Sequence, residues 1–223
     1  GKAGGRHRVN VVVSLSSLSI YTQMFVLPEV PEGKFEDAVQ LNLQMLSPAD
    51  LTQEYAGWQV IGDDHKGRIE ILGAFTQRDP IDEITTILHE AGFSVAALEF
   101  RALSLARLAR ERGVKFDPGV STVIVSVDDN GVDFLVLRHG ELYFDYFTSW
   151  YALQKDGRQI SKPEFESLLV RNLNQVVNLV NQHFQESIKE VYVASSGLTL
   201  EIQKVIEPNF SLAVKELKLE TDK

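Results

Sequence analysis

Paired carboxylates at Asp128 and Asp129 are the most suggestive candidates for chemistry in this 223-residue chain. They directly follow an apolar, β-type run that ends at Val127, so the two side chains could hold Mg²⁺ at the end of a strand. The same segment, Asp128-Asp129-Asn130-Gly131, is also typical of a polar hairpin turn, because Asn-Gly tolerates positive φ at both central positions. We therefore predict a surface turn with no bound metal and no catalytic residue.

A divergent nuclease of the ribonuclease H type is a weaker alternative. Such an enzyme holds two metal ions with carboxylates on a first strand, on the next helix and at the tip of the strand after it. Asp128 and either Glu164 or Glu166 could supply two of these, but the third position is Ser195. The net charge of −9 also disfavours binding to polyanionic nucleic acid. We expect no nucleic-acid partner.

Metal and disulfide chemistry find little support elsewhere in the sequence. There are no cysteines, and the five histidines are scattered without the spacing of a zinc site. No apolar run approaches the roughly 20 residues that span a bilayer. A reducing compartment such as the cytoplasm is therefore permitted, and we expect no cofactor.

Aromatic residues form a second candidate site. Trp150 and Tyr151 follow three aromatic residues of a predicted strand and lead into a polar loop. Aromatic side chains are enriched in the cores of protein interfaces. We therefore predict that Trp150 and Tyr151 contribute to partner binding.

The elements that must position these residues begin with a strand-rich first half. Period-2 runs predict strands, and apolar residues at helical spacing predict helices between them. In the first helix, Phe35, Val39 and Leu43 share one face and should be buried. Asp79 is the predicted N-cap of the second helix, with Pro80 at its first position and Gly92 as its C-terminal cap. The predicted strands are Val9–Leu15, Ser19–Val26, Tyr55–Ile61, Arg68–Phe75 and Phe93–Leu98, and the predicted helices are Phe35–Leu46, Pro80–Ala91 and Ala102–Arg112.

Three consecutive strands open the second half, joined by the tight turns Asn130-Gly131 and His139-Gly140. A capping box at Ser161 to Glu164 then starts a long helix, which is followed by strand, helix and strand. The predicted ranges are Thr122–Val127, Val132–Arg138, Leu142–Phe147, Val191–Ala194, Leu198–Ile206 and Leu212–Leu217. This order is typical of a ribonuclease-H-like or actin-like half-domain, an α/β fold with a mixed sheet.

Several segments resemble PilM-like type IV pilus assembly proteins, which are related to the divisome protein FtsA. They are Phe25–Glu32 with its Leu-Pro-x-x-Pro core, Ala38–Pro48, Tyr55–Gly62, Glu70–Thr76 and Ala91–Ala106. The resemblance implies a small strand-helix-strand-strand subdomain inserted before the half-domain. It predicts three parts: residues 1–26 from a first actin-like half, 27–98 as the inserted subdomain, and 99–223 as the second half.

The nucleotide site of that family is only partly matched. Actin-like ATPases clasp phosphates with two Gly-containing hairpins, each with an acidic residue that helps to position Mg²⁺. The first hairpin has no counterpart in this sequence. Asp128, Gly131 and Gly197 are the vestigial candidates for the rest of the site. The resemblance therefore favours a pseudo-ATPase, with an ATPase whose first hairpin lies outside this sequence as the alternative.

A partner is also implied by the resemblance, namely the cytoplasmic N-terminal peptide of a PilN-like inner-membrane protein. The expected site is a groove beside the strand Ser19–Val26, with Tyr21 and Phe25 as contacts and a sheet edge available for strand addition. The chain would then be a non-catalytic scaffold at the inner face of the inner membrane, in a pilus or secretion platform. Homo-oligomer formation is left open.

Overall fold

A computed structural model describes residues 8–31, 33–63, 67–117, 119–154 and 159–218. The chain forms two compact units, the first ending at Ser104 and the second beginning at Leu105. Ten strands and six helices are assigned within the described residues. None of these helices is long and apolar enough to cross a bilayer.

The first unit contains two sheets. Strands β1 (Val9–Leu15) and β5 (Phe93–Phe100) pair in parallel, and β2 (Tyr21–Leu27), β4 (Ile69–Gln77) and β3 (Glu54–Asp63) form an antiparallel sheet in the order β2-β4-β3. The other elements are α1 (Phe35–Leu46), α2 (Arg78–Glu90) and the start of α3 (Arg101–Glu111). Since β2 pairs with β4 along its whole length, the predicted boundary between residues 26 and 27 divides this sheet.

Helix α1 covers one face of the three-stranded sheet. Val39 and Leu43 lie one turn apart and are fully buried, as predicted, against a core that includes Phe25 and Phe75. Phe35 was predicted to be buried with them but is half-buried, and its ring stands edge-on to Trp58 at 5.6 Å between centroids. The helix ends before Ser47-Pro48, because proline disfavours helical backbone at the residue before it.

The predicted start of α2 needs a correction. The helix begins at Arg78 with Gln77 as N-cap, so Asp79 and Pro80 lie within its first turn. Proline is tolerated there because the first N–H groups of a helix have no partner within the helix. Gly92, at φ +93°, follows the last turn as predicted.

The second unit has one five-stranded sheet in the order β10-β9-β6-β7-β8. Its strands are β6 (Val120–Val127), β7 (Gly131–Arg138), β8 (Glu141–Ser149), β9 (Ser187–Ser195) and β10 (Ala213–Glu216). The first three form the predicted antiparallel meander, and β9 and β10 add in parallel beside β6. The mixed α/β organisation predicted from turns and caps is therefore confirmed.

Three helices complete the second unit: α4 (Trp150–Leu153), α5 (Lys162–Leu179) and α6 (Thr199–Phe210). Ser161 and Glu164 form the predicted capping box at the start of α5. A π-helical turn, Val180–Phe184, continues α5 towards Gln185, which has a left-handed backbone. Side chains of α5 and α6 pack on one sheet face, where Phe134, Leu169, Val193 and Ile202 are fully buried.

Candidate functional site

A groove of about 370 Å³ opens in the first unit, on the sheet face opposite α1. Alternate residues of a strand point to opposite faces, so Ile71 and Phe75 pack under α1 while Leu72 and Ala74 reach the groove. Its other apolar lining side chains include Leu15, Ile20, Ile81, Leu98, Phe100 and Leu103. We call this cavity the β3 groove, because residues 55–59 of β3 form one of its walls.

Strand β3 is an edge of its sheet, since the pairing order in the described chain is β2-β4-β3. Its side chains Tyr55, Trp58 and Val60 are exposed, and no Lys, Arg or Pro lies between Tyr55 and Gly62. Natural proteins protect exposed edges with such residues or with bulges, and here only one irregularity, between Val60 and Gly62, is present. The edge is therefore suited to pairing with an added strand.

Polar contacts hold the beginning of β3 in place. The Tyr55 hydroxyl donates to Asp82 Oδ1 at 2.7 Å, and the Arg78 guanidinium lies 4.2 Å from the centre of the Tyr55 ring. The hydrogen bond to Asp82 raises the pKa of Tyr55 above its ordinary value. Glu54 is buried, and its carboxylate accepts hydrogen bonds from Ser47 and Gln77. These contacts fix one wall of the groove before any partner arrives.

Negative charge is concentrated in the part of the chain that forms most of this groove. Residues 21–100 contain fourteen Asp and Glu but four Lys and Arg, an excess of ten negative charges in a chain whose net charge is −9. Glu99 is itself one of the lining residues. The whole first unit, which adds four more Lys and Arg, has a net charge of −6 against −3 for the second unit, and this charge favours a cationic ligand.

The two contacts predicted on β2 lie elsewhere. Phe25 is only 9% exposed and belongs to the core beneath α1, which leaves little of its side chain for a partner to contact; its part in partner binding stays a prediction. Tyr21 is 44% exposed, donates a hydrogen bond to Gln23 and lies 5.9 Å from the Phe75 ring. Neither residue lines the β3 groove. Sequence alternation showed that β2 has two faces but not which face α1 covers.

Trp150 and Tyr151 differ from each other in their surroundings. They form the start of the short helix α4, which the sequence did not predict. Trp150 is half-buried, its ring centre lies 6.1 Å from that of Phe165, and it borders a cleft of about 580 Å³. Tyr151 is exposed. The involvement of these two residues in partner binding stays a prediction.

The vestigial nucleotide-site residues lie at one end of the five-stranded sheet. Val127 is opposite Ser195 in the parallel pair β6–β9, so the turn at Asp128–Gly131 and the turn at Gly197 share this end. Asp128 Oδ1 accepts hydrogen bonds from the N–H groups of Asn130 and Gly131 at 2.8 and 3.0 Å, as in an Asx-turn. Gly197 has a φ of +83°, which the turn before α6 requires.

Carboxylates considered for a nuclease site have other partners. Glu164 caps the N-terminus of α5, and Glu166 pairs with Lys162 at 3.8 Å. Across the residues that the structure describes, no three His, Cys, Asp or Glu side chains are grouped to hold a metal ion.

Known proteins give a match at the level of structure. No family model and no curated protein matches the sequence. A chain of a PilM–PilN type IV pilus biogenesis complex has a TM-score of 0.70 at 14% identity, over 94% of this chain and 69% of that chain. A protein of unknown function with an actin-like ATPase fold, from Bacteroides thetaiotaomicron, has a TM-score of 0.50 at 10% identity, over 93% and 68% of the two chains.

This chain has an actin-like fold. The predicted fold class is thereby confirmed, including the half-domain formed by the meander and its crossover helices. At 14% identity the likeness to the PilM–PilN complex establishes the fold and leaves the activity and the partner to be argued from the site.

Proposed function

We propose that this actin-like protein is a non-catalytic scaffold on the cytoplasmic side of the inner membrane, in a type IV pilus or related secretion platform. Its partner is the N-terminal cytoplasmic peptide of a PilN-like membrane protein, and the peptide binds in the β3 groove. The observation that carries this proposal is a preformed apolar groove beside β3, the last strand in the pairing order of the described sheet. The structural likeness to a PilM–PilN complex supports the choice of partner.

The geometry favours an extended peptide. A peptide strand can add to the sheet beside β3, with main-chain hydrogen bonds to this strand and alternate side chains entering the groove. The groove volume of about 370 Å³ lies in the range of sites that bury several apolar groups. Leu72, Leu98 and Phe100 would receive the apolar side chains.

Charge favours a peptide with basic residues. Cytoplasmic segments next to a transmembrane helix are rich in Lys and Arg. Such a peptide complements the excess of ten negative charges in residues 21–100. Screening by salt weakens attraction between exposed charges, so the affinity should fall as ionic strength rises.

The test is a fluorescence-polarisation titration with the N-terminal cytoplasmic peptide of the PilN-like protein from the same genome. Leu98 lines the groove and is 41% exposed, whereas Leu41 is 57% exposed on α1 and does not line it. Both leucines can be replaced by Gln without opening a buried core. Leu98→Gln should raise the Kd about tenfold, which corresponds to roughly 1.4 kcal/mol of lost apolar contact, and the matched control Leu41→Gln should leave it unchanged.

Tyr21→Ala separates the two possible sheet edges. Because Tyr21 lies on β2 and outside the groove, this substitution should leave peptide binding unchanged. A peptide that binds the wild type and is weakened by Tyr21→Ala but not by Leu98→Gln would place the site on β2 and overturn the proposed groove.

A further inference from the structure

Nucleotide is the ligand that an actin-like ATPase fold implies, so the hairpin between β6 and β7 can be tested for its fit to phosphate. In such folds the hairpin binds phosphate oxygens through backbone N–H groups that point into the site and have no other acceptor. Phosphate can bind here only if the N–H groups of the Asp128–Gly131 turn are available to it. This condition does not depend on the proposed peptide partner.

An internal carboxylate already occupies two of those donors. Asp128 Oδ1 accepts the N–H of Asn130 at 2.8 Å and the N–H of Gly131 at 3.0 Å. The main-chain N–H of Asp128 donates to the carbonyl of Gly131 at 3.1 Å. An approaching phosphate would have to displace a carboxylate from both donors and then lie beside its negative charge.

Trp150 fixes the same turn from the other side. Its main-chain N–H donates to the Asn130 carbonyl at 3.0 Å, and its indole Nε1–H donates to the Asp128 carbonyl at 2.7 Å. The indole ring is half-buried against Phe165, which limits its freedom to swing away. Two of the turn's carbonyl groups are therefore held by one residue, and the turn cannot reorient its peptide groups without breaking these bonds.

Close packing leaves no room for a side chain at Gly131. A Cβ atom on Gly131 would lie 2.2 Å from the Thr148 carbonyl oxygen and 2.7 Å from the Phe147 ring. Glycine is thus required here by the approach of β8. In a phosphate-binding hairpin, by contrast, glycine lets the backbone approach the ligand.

The adjoining cleft has the wrong charge for a nucleotide. Its floor is apolar, with Trp150, Phe165 and Leu198 among the lining residues. The charged side chains that line it within the described chain are Glu166, Glu201 and Lys162. Because Lys162 already pairs with Glu166, the cleft offers an incoming polyphosphate no unpaired cation among these three residues.

We infer that the Asp128–Gly131 turn is closed to phosphate. The Asp128 carboxylate accepts the N–H groups that would otherwise bind the anion, and the hydrogen bonds from Trp150 hold the turn in this conformation. Asp128 and Trp150 are then positioning residues of a structural turn. The second half of this chain binds neither ATP nor inorganic polyphosphate at the position where the fold would place it.

Amide NMR of the intact chain tests this directly, because Asn130 and Gly131 each report on one of the two N–H groups. Millimolar pyrophosphate or Mg·ATP should leave both amide signals of the wild type unshifted. Asp128→Ala should speed hydrogen exchange at both amides about tenfold and allow them to shift when pyrophosphate is added. Saturable shifts at these amides in the wild type would overturn the inference, and this measurement needs no variant.

Asp128→Asn separates the effect of the hydrogen bonds from that of the charge. Its side-chain oxygen can accept the same two N–H groups without a negative charge. Closure by donor occupation therefore predicts slow exchange and no pyrophosphate shift in this variant, as in the wild type. If Asp128→Asn instead binds pyrophosphate as Asp128→Ala does, charge repulsion alone excludes phosphate from the wild type. Closure of the turn by occupied donors would then be refuted.

Discussion

Removing Arg138 should destabilise the second unit more than removing any surface arginine, because Arg138 forms a nearly buried ion pair. Its Nε and Nη2 donate to Glu186 Oε1 at 3.0 and 2.8 Å, and Ser121 donates to Glu186 Oε2 at 2.6 Å. The guanidinium also lies against two rings, 4.4 Å from the centre of Tyr143 and 4.3 Å from that of Phe184. The side chains of Arg138 and Glu186 are 15% and 8% exposed.

The size of the effect follows from this burial. Breaking a buried ion pair by removing one partner costs about 3–5 kcal/mol, because the other charge stays buried without compensation. Since Arg138 keeps some contact with solvent, we expect Arg138→Met to lower the free energy of unfolding by about 3 kcal/mol. The methionine retains an apolar stem against the two rings. Glu186→Gln keeps the Ser121 hydrogen bond and should cost about 2 kcal/mol. The double variant should cost about 3 kcal/mol, which gives a coupling energy of about 2 kcal/mol.

The cost should also depend on pH. Burial raises the pKa of Glu186, but hydrogen bonds from Arg138 and Ser121 outweigh this effect, and the pKa lies below its usual value. A lowered pKa in the folded state means that the pair stabilises the protein above the unfolded pKa of about 4.3. That contribution is lost as the pH falls through the folded pKa. The difference between wild type and Arg138→Met should therefore shrink as the pH is lowered below about 4.3.

Urea unfolding measures these energies if the signal comes from the second unit alone. The chain has two tryptophans, Trp58 in the first unit and Trp150 in the second, so a Trp58→Phe background reports on the second unit. The matched control is the pair Arg110–Glu141, whose side chains are 44% and 27% exposed and whose coupling should stay below about 1 kcal/mol. Equal coupling energies in the two pairs would refute the argument from burial.

Three further substitutions test packing, close approach and capping, each by urea unfolding with intrinsic fluorescence. Leu43→Ala removes a fully buried side chain beneath the three-stranded sheet and should cost about 2–5 kcal/mol; a cost below about 1 kcal/mol would show that Leu43 is not core. Gly131→Ala places a Cβ 2.2 Å from the Thr148 carbonyl oxygen and should cost about 3 kcal/mol, whereas a neutral effect would mean that β8 does not approach so closely. Ser161→Ala removes the capping box of α5 and should cost about 1 kcal/mol, whereas Ser161→Thr keeps a capping hydroxyl and should cost little.

Local signals in the sequence predicted most of the fold. Asn130-Gly131 correctly predicted the position of the β6–β7 hairpin, although neither residue has the positive φ on which that prediction was based; the Asp128 carboxylate closes the turn instead. Ser161 and Glu164 correctly predicted the start of α5, because their side chains satisfy backbone groups within a few positions of themselves. The start of α2 was misplaced by two residues. Asp79 is a good N-cap by type, but the structure places Gln77 there, since a strong local preference can be overridden by the strand that leads into the helix.

The site was harder to predict than the fold, because it depends on which sheet face is covered. Alternation along β2 separates Tyr21 and Phe25 from Thr22 and Met24, yet nothing local says that α1 packs on the side of Phe25. The order β2-β4-β3 also departs from the order of the strands along the chain. It leaves β2 and β3 as the two edges and places the aromatic residues of β3, not those of β2, beside the groove.

The proposals for the β3 groove and for the Asp128–Gly131 turn both depend on the distribution of charged residues, which the fold class alone would not predict. An actin-like nucleotide site needs backbone donors and cations around a phosphate, whereas this chain puts the Asp128 carboxylate on its hairpin donors. The acidic excess lies instead in residues 21–100, the part of the chain that forms most of an apolar groove beside β3. A negative surface repels nucleotide but attracts a basic, apolar peptide, so the same distribution of charge that disfavours an ATPase favours a peptide-binding scaffold.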